Sequence, residues 1–247
     1  MERLAQEIAD ACRTQPDLRL VVGHGSGSFG HVFGQRYGTR DGVRTPEQWF
    51  GFAATADAAA RLNRILVAAL LHAGIPAWGI QPSVELRACD GHVIAGPTDT
   101  VHCALDVGLV PVVYGDVVLD TVRGGSIAST EEIFAWLART LQPTRLILAG
   151  EVDGIFTADP QLNPGARLIE KLTPEDVALL DTVLGQSHGV DVTGGMKAKV
   201  EETFSLIASH PHLEVLICSG LRAGNLLAAL TTPAAATGTT LHADRRA

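Results

Sequence analysis

The chain has 247 residues, of which 46% are hydrophobic and 19% are charged, so it can build a compact core and is not typical of a disordered protein. Its net charge of −8 argues against nucleic acid as a partner, because proteins that bind nucleic acid carry a basic surface. An acidic chain still binds phosphate groups where local backbone amides and a few cations are available.

The cysteines and the N-terminal segment indicate where the protein works. The cysteines form neither a C-x-x-C pair nor a zinc spacing, which predicts reduced, mostly buried thiols in a reducing compartment. They are Cys12, Cys89, Cys103 and Cys218. The N-terminus has the pattern of an amphipathic helix rather than of a signal peptide, and no apolar run reaches the roughly 18 residues of a membrane span. We therefore expect a cytoplasmic protein with no membrane partner.

Helical and strand-like patterns alternate along the chain. Residues 2–14 have helical spacing, the apolar run 18–23 predicts a buried strand, and Pro46 suits the first turn of a long helix that ends near residue 71. Further strands are predicted at 77–80, 109–114, 146–148 and 215–218, helices at 99–107, 131–141, 174–184 and 195–208, β-hairpins at 85–95 and 115–122, and an edge strand at 238–242. This alternation predicts an α/β fold, a three-layer sandwich around a mostly parallel central sheet.

A glycine-rich loop, GSGSFG at residues 25–30, follows the first predicted strand. The string matches the G-x-G-x-x-G of a dinucleotide site, but such a site needs a second strand that ends in an acidic residue about 20 positions later. The sequence there, YGTRDGVRTPEQW, predicts no strand, which argues against a nicotinamide or flavin site. Glycines let a backbone approach an anion closely, and His31 offers a ring nitrogen to a phosphate oxygen. A purely structural histidine is the alternative.

The block HGSGSFGH, then YG, then a helix carrying LNRILVAALLHAGIPA, resembles isopentenyl phosphate kinases of the amino acid kinase superfamily. The resemblance implies that His31 binds the acceptor phosphate and stabilises the transferred phosphoryl group. It also implies that Gly25, Ser26 and Gly30 hold the acceptor and transferred phosphates. A fosfomycin kinase shares the histidine and is the nearest alternative.

The segment AGEVDGIF at residues 149–156 directly follows a predicted strand. It resembles the T-D-V-D-G turn of the superfamily, although Glu151 stands where aspartate is usual. The resemblance implies that Glu151, Asp153 and Gly154 lie beside the nucleotide. The alternative is an ordinary acidic turn, because D-G and D-P pairs are common turn formers.

The segment DVTGGMKAK at residues 191–199 opens a predicted helix. Two glycines at a helix start leave free amides for a phosphate, and the helix dipole favours the anion. The resemblance to the family's D-V-T-G-G-M segment implies that Gly194, Gly195 and Lys199 bind the nucleotide, with Lys199 favoured over Lys197 by spacing. The alternative is a solvated helix face that happens to carry lysines.

Two departures from the family pattern affect the expected activity. The family's first strand and phosphate loop, K-[LV]-G-G-S, has no counterpart in this sequence, so we expect the fold to lack the family's N-terminal strand. We expect either a start placed too far downstream or a degenerate protein that binds phosphate without catalysis. At GSIASTEEI, Thr130 replaces a glycine of the acceptor-phosphate region and Glu131 replaces an aspartate. The S-x-x-E spacing also predicts a capping box, with Ser129 as N-cap and Glu132 at N3.

Taken together, the sequence predicts one amino acid kinase domain over residues 1–247, with acceptor binding in about 1–140 and nucleotide binding in about 141–247. The resemblance implies that the chain uses ATP and Mg²⁺ to phosphorylate isopentenyl phosphate, with His31 and Lys199 as catalytic residues. Because the acceptor phosphate is itself the nucleophile, catalysis is mostly positioning and charge neutralisation.

The remaining expectations concern the apolar end of the acceptor and the assembly. The long helix after the loop is predicted to line a pocket for the isoprenoid tail, with Phe50, Phe52 and Leu62 as lining residues. The acceptor-phosphate residues are expected to include Thr130, and no side chain is assigned as a metal ligand. The resemblance implies a homodimer that acts on a small phosphorylated molecule.

Overall fold

A computed structural model describes residues 1–25, 27, 34, 36–158, 160, 163–176 and 195–243, with only the backbone described for 195–198. The chain divides into two compact units. The first comprises Met1–Cys12 and Pro16–Leu141, and the second comprises Arg13–Gln15 and Gln142–Ala247. Among the described residues, no helix is both long enough and apolar enough to cross a bilayer.

Most helices of the structure agree closely with the predicted ones, whereas the last, which begins at Asn225, was not predicted. Their bounds are α1 Glu2–Thr14, α2 Pro46–His72, α3 Thr98–Asp106, α4 Thr130–Leu141, α5 Gly195–Ser209 and α6 Asn225–Thr231. The long helix α2 begins with a capping box, in which the Thr45 hydroxyl accepts from the Gln48 amide at 3.3 Å and the Gln48 side chain accepts from the Thr45 amide at 3.1 Å. Of the helix predicted at 174–184, Pro174–Asp176 forms a short 3₁₀ turn and the rest lies outside the described residues.

The strands of the first unit form two sheets. The bounds are β1 Val22–His24, β2 Ala77–Gly79, β3 Arg87–Cys89, β4 His92–Ala95, β5 Val110–Tyr114, β6 Asp116–Asp120 and β7 Gly124–Ala128. One sheet is wholly parallel, in the order β1-β5-β2, and the other has the order β4-β3-β6-β7. The hairpin predicted at 85–95 is confirmed, because β3 pairs antiparallel with β4. The hairpin predicted at 115–122 is longer, because β6 pairs antiparallel with β7, which ends at Ala128. The predicted strand 18–23 is shorter, since pairing with β5 begins only at Val22.

The second unit has one sheet, in the order β8-β10-β11-β9. Its strands are β8 Arg145–Gly150, β9 Lys171–Leu172, β10 Glu214–Ser219 and β11 Gly238–Leu241. The prediction that 238–242 forms an edge strand is wrong, because β11 pairs antiparallel with β10 on one side and parallel with β9 on the other. The predicted α/β class with mostly parallel pairing is confirmed.

Each unit has its own apolar core. In the first unit, buried side chains of β5, β6, α3 and α4 pack together around Val113, Ile133 and Leu137. In the second, α5 packs Phe204 and Ile207 onto the sheet. The expectation that the cysteines are mostly buried is wrong for Cys89 and Cys103, which lie on exposed faces of β3 and α3. All four thiols are free, and Cys218 is buried in β10.

One buried carboxylate holds the turns of the sheet β4-β3-β6-β7. Asp120, which is 5% exposed, ends β6 and accepts backbone hydrogen bonds from Asp90, Gly91, Val122 and Arg123 at 2.7–3.1 Å. Burial alone would raise its pKa, but the four N–H donors outweigh that effect and lower the pKa to about 2. The charged side chain therefore organises both hairpin turns.

Replacing Asp120 should destabilise the first unit in a pH-dependent way. Asp120→Ala removes the shared acceptor of four backbone N–H groups in two hairpin turns, so the free energy of unfolding should fall by about 2–4 kcal/mol at pH 7. Because the folded pKa is below the unfolded value, this contribution is complete above about pH 4 and disappears as the pH falls through about 2. Urea unfolding at several pH values measures the difference, with exposed Asp17→Ala as the matched control. A pH-independent difference would contradict the assignment.

Candidate functional site

The glycine-rich loop begins at the carboxyl edge of the parallel sheet in the first unit. His24 ends β1 and Tyr114 ends β5, and the two residues are partners in the parallel register. Each is followed by a glycine, Gly25 and Gly115. In open α/β sheets, ligands bind at the carboxyl ends of the strands, so this edge is where the fold favours a binding site.

Helix α4 lies very close to β1 at this edge. A Cβ atom on Gly23 would overlap the ring of Phe134 and would lie 2.7 Å from Cγ2 of Thr130. Because real side chains do not approach so closely, only glycine at position 23 lets the first turn of α4 lie against the strand. Glycine is therefore required at position 23, on the strand side of His24.

Thr130, the first residue of α4, joins the two strand ends. Its buried hydroxyl donates to the carbonyl oxygen of His24 at 2.7 Å and accepts from the amide of Gly115 at 2.9 Å. The hydroxyl is thus engaged with the backbone of both strand ends. The predicted role of Thr130 in the acceptor-phosphate region stays a prediction, and the observed role of its hydroxyl is to join the ends of β1 and β5.

The helix α4 begins with the predicted capping box. The amide of Glu132 donates to the Ser129 hydroxyl at 3.1 Å, and the Glu132 carboxylate accepts from the Ser129 amide. This interpretation of the S-x-x-E spacing is confirmed. Glu131, at the position of the family's aspartate, lies beside it in the first turn, where a carboxylate is favoured by the helix dipole.

His24 makes contacts that the sequence analysis missed. Its Nδ1 lies 2.9 Å from the carbonyl oxygen of Gly25, its Nε2 lies 3.1 Å from the side-chain amide nitrogen of Asn63, and its ring stacks on Tyr114 with 5.3 Å between centroids. Burial lowers the pKa of His24, although the bond to Gly25 opposes this effect. The one local signal was a buried polar residue, Asn63, within the apolar helix segment LNRILV.

Part of the predicted acceptor site lies outside the described residues. Gly25 is exposed at the start of the loop, whereas Ser26, Gly30 and His31 are not described. Their assignment as acceptor-binding residues, with His31 as a catalytic residue, stays a prediction.

The side chains predicted to line a tail pocket differ in their surroundings. Phe52 packs edge-to-face on Trp49, with 5.2 Å between centroids. Phe50 is largely exposed and contacts Tyr37, and Leu62 is half-buried. The two aromatic pairs lie near the start of α2, in the first unit, and a role in binding an apolar tail remains a prediction.

In the second unit, the EVDG segment follows β8 directly, as the sequence predicts. At the neighbouring end of β10, the amide of Gly220 donates to the Gly150 carbonyl at 2.7 Å, and the Ser219 hydroxyl donates to the Glu151 carbonyl at 3.4 Å. These bonds attach the start of the segment to the carboxyl edge of the sheet. Glu151 is exposed there, beyond the end of the strand.

Asp153 and Gly154 continue the same turn. Asp153 forms an ion pair with Arg222 at 3.4 Å. Gly154 has a φ of 149°, and a Cβ atom there would lie 2.6 Å from the hydroxyl of Thr239, which also accepts from the amide of Ile155 at 2.8 Å. Glycine is thus required at position 154. Arg222 was missed because it is 69 residues from its partner.

The helix predicted for the lysine-bearing segment is confirmed, since α5 begins at Gly195. Lys199 lies in the second turn, half-buried, and its carbonyl accepts from the Thr203 hydroxyl at 2.7 Å. Gly194 lies outside the described residues. The nucleotide-binding roles of Gly194, Gly195 and Lys199 stay predictions. In the part of the chain that the structure describes, no group of three or more His, Cys, Asp or Glu side chains is arranged to hold a metal ion.

Comparison with known proteins shows where the chain belongs. The family model "Amino acid kinase family" matches residues 1–219. The isopentenyl phosphate kinase of Methanothermobacter thermautotrophicus is 37% identical over 237 residues, which cover 93% of this chain and 85% of that protein. The isopentenyl phosphate kinase of Methanocaldococcus jannaschii is 30% identical, over 81% of this chain and 76% of its own length.

A solved structure agrees with these relatives. A crystal structure of an isopentenyl phosphate kinase superposes with a TM-score of 0.80 at 32% identity, and covers 97% of this chain and 89% of that one. The chain therefore belongs to the amino acid kinase family and, within it, to the isopentenyl phosphate kinases.

Proposed function

We propose that the protein transfers the γ-phosphoryl group of ATP to isopentenyl phosphate, giving ADP and isopentenyl diphosphate. The observation that carries this proposal is the 37% identity to an isopentenyl phosphate kinase along 93% of the chain. The carboxyl edge in each unit supports it, because parallel α/β sheets bind ligands at that edge.

The acceptor phosphate is assigned to the first unit. The glycine-rich loop supplies Gly25, Ser26 and Gly30. Because these residues are small, the backbone amides of the loop can approach an anion closely. His31 binds the acceptor phosphate and stabilises the transferred group, and Thr130 completes the region. The acceptor oxygen is already an anion and needs no strong base, so these residues act by positioning and by neutralising charge.

The nucleotide is assigned to the second unit. The segment Glu151, Asp153 and Gly154 lies beside it, and Gly194 and Gly195 present the start of α5 to its phosphates. A helix N-terminus favours an anion, so the observed beginning of α5 at Gly195 supports this assignment. Lys199 neutralises charge that builds up on the phosphates in the transition state.

The finer expectations follow from family membership. Mg²⁺ fits the site through the ATP phosphates, because this ion is commonly held by substrate phosphates and few protein carboxylates. It would neutralise the negative charge of the phosphates when bound. The proposal includes a homodimer and a cytoplasmic location.

The substrate is tested by measuring ADP release with a panel of acceptors. We expect turnover with isopentenyl phosphate, and little with fosfomycin, glutamate or carbamate. The proposed site binds a phosphate group beside an apolar pocket, and only isopentenyl phosphate in this panel has both a phosphate and an isoprenoid tail. Release of ADP with fosfomycin alone would replace the proposed substrate. Absence of ADP release with every acceptor, while ATP still binds, would favour a non-catalytic phosphate-binding protein.

Two substitutions test whether the first unit binds the acceptor and the second unit binds the nucleotide. His31→Ala and Lys199→Ala should each lower kcat by about 10²–10³-fold, since each removes a charge-stabilising contact from the transition state. Only Lys199→Ala should also raise the KM for ATP. The exposed residues His92 and Lys171 give matched controls, His92→Ala and Lys171→Ala. Steady-state kinetics with unaltered rates in either test variant would remove that residue from the site.

A further inference from the structure

We propose that His24 is a positioning residue, a neutral imidazole whose Nδ1–H holds the carbonyl of Gly25 and so sets the first peptide of the glycine-rich loop for the acceptor phosphate. The inference rests on the proposed function for the identity of the acceptor. The hydrogen bonds themselves are independent of it.

The partners of the ring fix its protonation. The side-chain nitrogen of Asn63 only donates, so Nε2, at 3.1 Å, must accept and carries no proton. The carbonyl oxygen of Gly25 only accepts, so Nδ1, at 2.9 Å, must carry the proton. A ring with one donor nitrogen and one acceptor nitrogen is a neutral imidazole, here the tautomer with its proton on Nδ1.

Several elements hold this arrangement. Asn63 is only 4% exposed on α2, and its side-chain oxygen lies where a Cβ on Gly79 would be only 2.6 Å away. Tyr114 stacks on the ring with an interplanar angle of 14°, and Thr130 binds the carbonyl of His24 itself. The side chain and the backbone of His24 are therefore both fixed by residues distant in sequence.

The surroundings favour the uncharged ring. Burial lowers the pKa of His24. The described side chains in contact with the ring are Asn63 from α2 and Tyr114 from β5, whereas Thr130 from α4 bonds the backbone carbonyl of His24. Burial, and secondarily the charge of nearby Asp116, raises the pKa of Tyr114, so the phenol also stays neutral. Burial also raises the pKa of Asp116, which lies beyond Tyr114 in the chain.

A held carbonyl matters because a loop that binds an anion must present N–H groups and turn its C=O groups away. Glycine crosses between backbone conformations at little cost, so the peptide after Gly25 needs an external constraint to keep one orientation. The bond from Nδ1 supplies this constraint. Losing it should weaken binding of the acceptor phosphate more than binding of ATP.

Two substitutions separate the two ring nitrogens. In His24→Asn the amide nitrogen is bonded to Cγ, as Nδ1 is, so the bond to Gly25 is kept. In His24→Gln the amide oxygen is one bond farther out, as Nε2 is, so it can accept from the Asn63 amide nitrogen while the bond to Gly25 is lost. We expect His24→Asn to stay within about threefold of wild type. His24→Gln should raise the KM for the acceptor about tenfold, with the KM for ATP unchanged, as the loss of one well-formed hydrogen bond implies.

The tautomer is measured directly on the unsubstituted protein. Long-range ¹H–¹⁵N correlation spectra should show His24 neutral at pH 7, with its proton on Nδ1 and a pKa below the usual 6.5. This measurement needs neither a variant that folds nor the correct acceptor. A ring that is charged at pH 7, or that carries its proton on Nε2, would overturn the inference.

The kinetics of the two variants can likewise support or overturn the positioning role of His24. Equal losses in His24→Asn and His24→Gln, or a loss confined to the KM for ATP, would overturn the positioning role. If isopentenyl phosphate is not a substrate, the proposed function fails by itself. The tautomer, and the same contrast of variants with whichever acceptor releases ADP, then still decide the role of His24.

Discussion

The hydroxyl of Thr130 is bonded to two neighbouring strand ends at once, and the local structure at the carboxyl ends of β1 and β5 depends on this contact. It donates to the carbonyl of His24 and accepts from the amide of Gly115. The amide of Gly115 also donates directly to the carbonyl of His24 at 3.2 Å, so the hydroxyl closes a ring of three hydrogen bonds at the two strand ends. The contact also fixes where the glycine-rich loop leaves β1. An anion site made of backbone amides needs a loop whose first residue is held in place, because the affinity for the anion depends on the direction of the N–H groups.

Close packing also fixes how α2 and α4 lie against the strands at this edge. Gly23 allows α4 to approach β1, and Gly79 leaves room for the Asn63 side chain that reaches His24 from α2. Neither glycine has a positive φ, so the need at both positions is for space. The second unit also has a position that only glycine can occupy. At Gly154, both the φ of 149° and the closeness of Thr239 exclude a side chain. Glycines thus shape the edge of each sheet where a phosphate group is proposed to bind.

Local features could be predicted from the sequence, and non-local ones could not. The start of α2 at Pro46, the capping box of Ser129 and Glu132, and the beginning of α5 at Gly195 depend on residues within a few positions of each other. The bond between His24 and Asn63 spans 39 residues, and its direction depends on how α2 packs. The interior position of β11 was missed for the same reason, because its partners β9 and β10 are fixed by the sheet order. The family motifs indicated which chemistry to expect, while the contacts that hold those motifs in place came only from the structure.

The most direct test of the account is a titration of the protein with isopentenyl phosphate, followed by backbone amide chemical shifts. If the edge formed by β1, β5 and α4 binds the acceptor phosphate, the amides of Gly25, Gly115 and Thr130 should be among those that move most. Isopentenol, which has the same carbon chain and no phosphate, should leave them nearly unchanged. Saturable binding of isopentenyl phosphate with these three amides unmoved would contradict the account, because the phosphate would then bind elsewhere.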